Sequence, residues 1–323
     1  MSSRAGKLVR ELMLPVAIVT GISIYFIFQA VPAWHGAEKT LEAMVQSGQR
    51  LVIAILLFFQ FVKVSPHQIH FTRWHFGALA LQVLSFLLLS AVVLYSTKPA
   101  TRMLLECGML CMICPTASAA GVITDRLGGN LSTTVSYVVL TNLCATFLIP
   151  LVIPVINPSA TMGFWKYVGH IAMRVFPVLI FPGLVAWTLR YTTHRLQRKL
   201  MRWAPNSFYV WGVGLCLAMI LATKALIESG FGTGILACIM LVSLLCCALQ
   251  FAAGRKMSRD RVESLTASQS LGQKNTSFLI WLGYNYVTPV TSVAGGFYAI
   301  WQNLYNSWEI YRKENWNTSK MEG

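Results

Sequence analysis

Gly272-Gln273-Lys274-Asn275-Thr276-Ser277 sets a lysine and four uncharged polar side chains inside an otherwise apolar run, 265–286. A second run, 101–123, is interrupted near its centre by Cys114-Pro115-Thr116-Ala117-Ser118. Pro115 has no N–H to give a helix ladder, so a helix there must break or kink and leave backbone groups to be satisfied otherwise. Apolar runs of about 20 residues, the length that crosses a hydrocarbon core near 30 Å, number ten. They fall at 12–34, 51–64, 75–95, 101–123, 131–156, 165–189, 208–226, 232–251, 265–286 and 289–308, the short second one starting as early as Leu41. The two interrupted runs are the fourth and the ninth, corresponding places in two halves of five. An odd number of spans per half turns the halves opposite ways in the membrane, and paired broken helices in inverted repeats mark secondary transporters with a midplane site. The expected fold is therefore an all-α membrane protein of ten transmembrane helices in two inverted five-helix repeats, residues 1–163 and 164–323.

Composition agrees with this reading. Of 323 residues 55% are hydrophobic and 11% charged, against ~25% charged in soluble domains, which excludes a water-soluble globule. Alternating barrel strands of about ten residues are absent, which leaves a helical bundle. The net charge of +15 would suggest nucleic acid in a soluble chain. Sorted by the ten runs, however, 18 of the 26 basic residues fall on one side, among them Arg4, Lys7, Arg10, Arg198, Arg261, Arg312 and Lys320, and six on the other. Such a bias is an orientation signal, with both termini cytoplasmic in a plasma (inner) membrane. The first run has no small-residue cleavage site after it, and its length suits a span better than a signal peptide.

No enzyme site emerges. The eight cysteines lie in apolar runs, and the single C-x-x-C at Cys111 and Cys114 has no second pair or neighbouring His to complete a metal set. The six histidines lie in or near loops, and no phosphate loop or nucleophile–base pair is visible. No cofactor is expected, and transport would not be driven by ATP within this chain.

Lys274 lies nine residues into its run, roughly 13 Å at 1.5 Å per residue, near the membrane centre. A lysine there costs at least about 2.5–3.5 kcal/mol on insertion scales and should face a cavity or a partner. Of the eleven acids, ten fall in loops or at span ends, Glu11, Glu314 and Glu322 among them; Glu106 is about one turn inside the outer end of its span. No carboxylate is therefore expected beside Lys274. An anionic substrate would find a ready counter-ion, and the amine could also carry a proton during transport. Freed amides at the breaks would add to an anion site. Pro115, Thr116, Ser118, Lys274, Asn275 and Thr276 are the candidate substrate-binding residues. Two plainer readings stand beside this one: a simple proline kink at Pro115, and a lysine that snorkels to a water pocket.

With those residues in view, the chain resembles the bile acid:sodium symporter family, within the wider group that includes auxin efflux carriers. The likeness is carried by Cys114-Pro115-Thr116-Ala117-Ser118, Gly129-Asn130 leading to Thr134, Gly272-Gln273-Lys274-Asn275, Ile300-Trp301-Gln302-Asn303 and Gln82. The resemblance implies a panel domain of spans 1, 2, 6 and 7 and a core domain of spans 3–5 and 8–10. It also implies that the broken helices cross, and that an organic anion binds between the domains by alternating access. It implies sodium sites at the crossing, whose remnant here would be Gln82, Ser118, Thr134, Ser270 and Lys274. Ser270 stands in place of a glutamate and Lys274 in place of a glutamine, so the lysine's ammonium is expected to replace a bound cation. The expected function is sodium-independent transport of a bile-acid-like or small monocarboxylate anion, proton-linked or facilitative. Sodium-coupled symport and a non-transporting membrane sensor are the alternatives.

Overall fold

In the computed structural model the described residues are 4–230 and 232–321, with the side chains of residues 4–12, 35, 205 and 314–321 left aside. Arg4, Lys7, Arg10 and Lys320 of the basic majority, and the carboxylates of Glu11, Glu314 and Glu322, thus lie outside the described side chains. In chain order the helices are α1 Arg4–Ala30, α2 Glu38–Lys63, α3 Arg73–Tyr95, α4 Pro99–Ile113, α5 Ala120–Arg126, α6 Leu131–Ile156 and α7 Phe164–Leu179. They continue with α8 Phe181–Thr192, α9 His194–Trp203, α10 Ser207–Glu228, α11 Thr233–Lys256, α12 Arg261–Gly272, α13 Thr276–Tyr286 and α14 Ser292–Met321. Among the described residues the chain is all-α, with one isolated antiparallel bridge in place of a sheet.

Among the described residues seven segments are long and apolar enough to cross a membrane: those of α1, α2, α3, α6, α7 with α8, α10 and α11. Three of the ten expected spans do not meet that description. Two are the interrupted ones, α4 with α5 and α12 with α13, whose pieces are individually short. The third is α14, long enough but studded with Gln302, Asn303, Asn306 and Glu309. The second span begins earlier than the sequence suggests, at Glu38, and Glu38 and Glu42 in the first turns of α2 both pair with Lys224, at 2.9 and 2.8 Å.

Large apolar side chains stand on the outside of this bundle, including Leu88, Phe147, Met173 and Leu245. In water such a surface would aggregate; against lipid tails it needs no cover. Inside, α1 and α2 pack on α10 and α2 on α8, while α3 packs on α4 and α6, and α11 on α4, α12 and α14.

Small residues set the closest of these approaches. A Cβ at Gly254 of α11 would stand 2.6 Å from the Ala267 carbonyl oxygen and 2.7 Å from Ser268 Cα, both backbone atoms of α12. Backbone cannot swing aside as a side chain can, so Gly254→Ala is expected to cost about 1–3 kcal/mol, the range for overpacking. Gly77→Ala and Gly169→Ala, where nothing lies within 4 Å, should instead be neutral or stabilising, since alanine is the better helix former. Thermal unfolding of the three variants in detergent checks the opposite signs.

Candidate functional site

The two breaks form because the local chemistry ends each helix, and they then satisfy one another. Cys114, the residue before Pro115, is pushed off the helical region to φ −51°, ψ 128° and closes α4. At the other break Gln273 takes φ −84°, ψ 114°, and the Asn275 side chain caps α13 by accepting from the Phe278 amide at 3.2 Å. Between them the extended residues Thr116 and Lys274 pair as an antiparallel bridge. The Ala117 amide donates to the Gln273 carbonyl and the Asn275 amide to the Pro115 carbonyl, both at 2.9 Å.

The remaining backbone groups are met by side chains from elsewhere. Gln302 of α14 pairs with both sides of the Lys274 backbone: its Oε1 accepts from the Lys274 amide at 2.8 Å and its Nε2 donates to the Lys274 carbonyl at 3.3 Å. A glutamine side chain thereby does what a neighbouring strand would do. The Thr116 amide donates to Thr141 Oγ1 at 3.2 Å, the Thr116 hydroxyl to the Ser270 carbonyl at 2.8 Å, and the Cys114 thiol to the Asn275 carbonyl at 3.0 Å. The amides of Thr116, Ala117, Lys274, Asn275 and Phe278 are therefore occupied, contrary to the expectation that the breaks leave them free for an anion. The physical reason is burial, because an unpaired amide at that depth would cost several kcal/mol.

The cation at this crossing is the Lys274 side chain, which is fully buried. Its ammonium donates to Gln82 Oε1 at 3.0 Å. Gln82, also fully buried, donates to the Ile113 and Cys114 carbonyls at the end of α4 and accepts from the Tyr137 hydroxyl at 3.3 Å. One ammonium thus ties α3, α4, α6 and the α12–α13 break together. Among the described residues no carboxylate lies within salt-bridge distance of it. An ammonium has three donor hydrogens, and among the described residues Gln82 is its one hydrogen-bond acceptor.

The other expected site residues divide into two groups. Pro115, Thr116, Asn275 and Thr276 form the crossing itself, with Ser118 half-buried just beyond it. Ser270 is buried beside it and its hydroxyl has no partner. Thr134 is buried on α6, but its hydroxyl is spent on the Asn130 carbonyl of its own helix at 2.9 Å. Some participants carry no local signal in the sequence. Gln49 of α2 donates to the Ser277 carbonyl at 2.8 Å, and Tyr298 of α14 donates to the Gly272 carbonyl at 2.8 Å while accepting from Gln250. Gln269 joins Gln273 to Glu309, which also pairs with Arg255. A buried glutamine or tyrosine in an apolar run is the one hint available, and Gln82 and Gln250 carry it visibly. The histidines near loops include one that is wholly buried, His75, stacked on Trp74 with its Nε2 within 2.9 Å of the Thr133 carbonyl, a packing role.

Apolar helices sheathed for lipid, with two broken helices crossing at a buried cation, define a multi-pass membrane transporter. The profile of the SBF-like CPA transporter family matches residues 10–283, from the first helix through the second break, and the chain belongs to that family. This bears out the resemblance to the bile acid:sodium symporters. No individually curated protein matches the chain significantly.

Proposed function

We propose that the protein is a secondary transporter of an organic anion, a bile-acid-like molecule or a small monocarboxylate, and that Lys274 stands in for a coupling cation. The observation that carries this reading is the Lys274 ammonium, fully buried, with one neutral acceptor and no acid partner among the described residues. A sodium ion at the crossing would need oxygen ligands next to a fixed positive charge. A carboxylate arriving there would meet the charge it lacks. Because the lysine is sealed from solvent, substrate reaches it only when the helices around the crossing part, as alternating access requires.

Ten spans in two inverted repeats, 1–163 and 164–323, give this machine its frame. The panel holds α1, α2, α7 with α8, and α10; the core holds α3 to α6 and α11 to α14. The packing of α10 on both α1 and α2, and of α11 on α4, α12 and α14, supports the division. The basic majority on one side supports cytoplasmic termini in a plasma membrane. Substrate would be held by Lys274 with Pro115, Thr116, Ser118, Asn275 and Thr276 around it.

The experiment uses the organic anion that most raises the thermal stability of the purified protein. Uptake of that anion into proteoliposomes is expected to be unchanged when an inward sodium gradient replaces potassium at fixed pH and voltage. An inward proton gradient in the same vesicles separates proton-linked from facilitative movement. Strong sodium stimulation would favour symport through the unpartnered Ser270 hydroxyl and overturn the sodium-independent reading. Stabilisation by an anion without uptake would favour a sensor.

A further inference from the structure

At the end of the bundle where α5 and α11 stop and α12 begins, a cleft of about 660 Å³ opens against the C-terminal half of α14. We propose that this cleft is a binding site for the phosphate headgroup of an anionic lipid, a role separate from the Lys274 crossing. Arg255, Arg261, Arg312 and Lys313 line it, and Glu309 is the one carboxylate in its wall among the described residues. Glu309 is already committed, paired with Arg255 and accepting from Gln269 at 2.8 Å. Lys313 donates to the Arg126 carbonyl at 2.9 Å. That leaves two exposed guanidinium groups free to act: Arg312, held 5.5 Å over the Trp308 ring, and Arg261, which has no acid within 4 Å among the described residues.

The nearby acids Asp260 and Glu263 form no ion pair with these guanidinium groups. The Asp260 carboxylate caps α12, accepting from the Glu263 amide at 2.8 Å. The Glu263 carboxylate is taken by Trp74 at 2.6 Å and by Asn130. Two guanidinium forks facing one space suit a phosphate group, whose oxygens can accept two parallel hydrogen bonds from each.

The rim decides for a lipid over a free anion. Trp308 and Val262 line the cleft and are half-exposed. An aromatic ring beside a basic pocket at a helix end is the arrangement expected where acyl chains give way to headgroups. A headgroup seated there would also touch a polar relay. Glu309 leads through Gln269 to Gln273, whose carbonyl holds the Ala117 amide at the crossing.

The test compares the full-length protein in nanodiscs of phosphatidylcholine alone and of phosphatidylcholine with phosphatidic acid. Readouts are thermal stability and the phosphatidic acid retained by the protein in native mass spectrometry. Phosphatidic acid is expected to stabilise the wild type and to co-purify with it. The double variant Arg261→Gln/Arg312→Gln should lose at least about a hundredfold in retention, because two charge-assisted contacts are removed as well as two charges. Arg198→Gln/Lys199→Gln, two charges of the basic helix α9, serves as the comparison, because attraction to an anionic surface weakens about fivefold per lost charge wherever the charge sits. Equal losses in the two double variants would overturn the site, since only general surface attraction would then be at work. Absence of any preference for phosphatidic acid would overturn it also. Equal stabilisation by inorganic phosphate in phosphatidylcholine nanodiscs would overturn the lipid assignment.

Discussion

Lys274→Met is expected to weaken anion binding at least about tenfold without lowering the stability of the substrate-free protein. The two effects have separate physical origins. A charge-assisted hydrogen bond to a carboxylate contributes about 1.5–3 kcal/mol, so losing it weakens binding at least about tenfold, and transport falls with it. In the substrate-free state the lysine is a liability, because a buried ammonium in hydrocarbon costs about 2.5–3.5 kcal/mol or more and here recovers one bond to Gln82. Methionine has a similar length, is apolar, and leaves Gln82 bonded to Tyr137 and to the end of α4. Its midpoint of thermal unfolding should equal or exceed that of the wild type. A marked fall in that midpoint together with unchanged anion binding by calorimetry would make the lysine a structural tether and sink the counter-ion role.

Gln82→Leu should be the most destabilising single change at the crossing, by about 3 kcal/mol. It removes the one acceptor that the ammonium has among the described residues and also the donor to the Ile113 and Cys114 carbonyls. Stranding a buried charge costs its full desolvation, whereas deleting both partners can be nearly neutral. Gln82→Leu/Lys274→Met is therefore expected to regain most of the loss, with a coupling of 0.5–3 kcal/mol, the range typical of contacting residues. Tyr137→Phe, which removes a neutral bond to the same oxygen, should cost about 1 kcal/mol. Additive losses in the double variant, measured by unfolding in detergent, would mean that the ammonium does not depend on Gln82. The comparison does not require the substrate to be known.

The two breaks, the apolar spans and the family were legible in the residues because each rests on local chemistry. Pro115 withholds an N–H and pushes Cys114 off the helix wherever the chain goes, and a run such as 131–156 is too apolar to lie in water. That no acid falls in the middle of an apolar run was legible for the same reason, since with eleven acids in 323 residues placing each along its run was enough. The interior partners were not legible. Lys274 finds Gln82 across 192 positions of sequence, and Gln302 folds onto the Lys274 backbone from 28 residues away. Helical periodicity tells which face a residue occupies but not which face of another helix it meets. For that reason the sequence suggested open amides at the breaks, while the fold closes those of Thr116, Ala117, Lys274 and Asn275 with Thr141, Gln302 and the facing break. It also read the basic residues as a topology signal alone, while the fold gathers Arg261 and Arg312 into one cleft, because helix ends distant in sequence converge where α11, α12 and α14 pack. Composition and proline chemistry thus determine that this chain spans a membrane with two broken helices and a central cation. The packing between helices alone decides that the breaks cross, which groups seal the cation in, and which charges share a site.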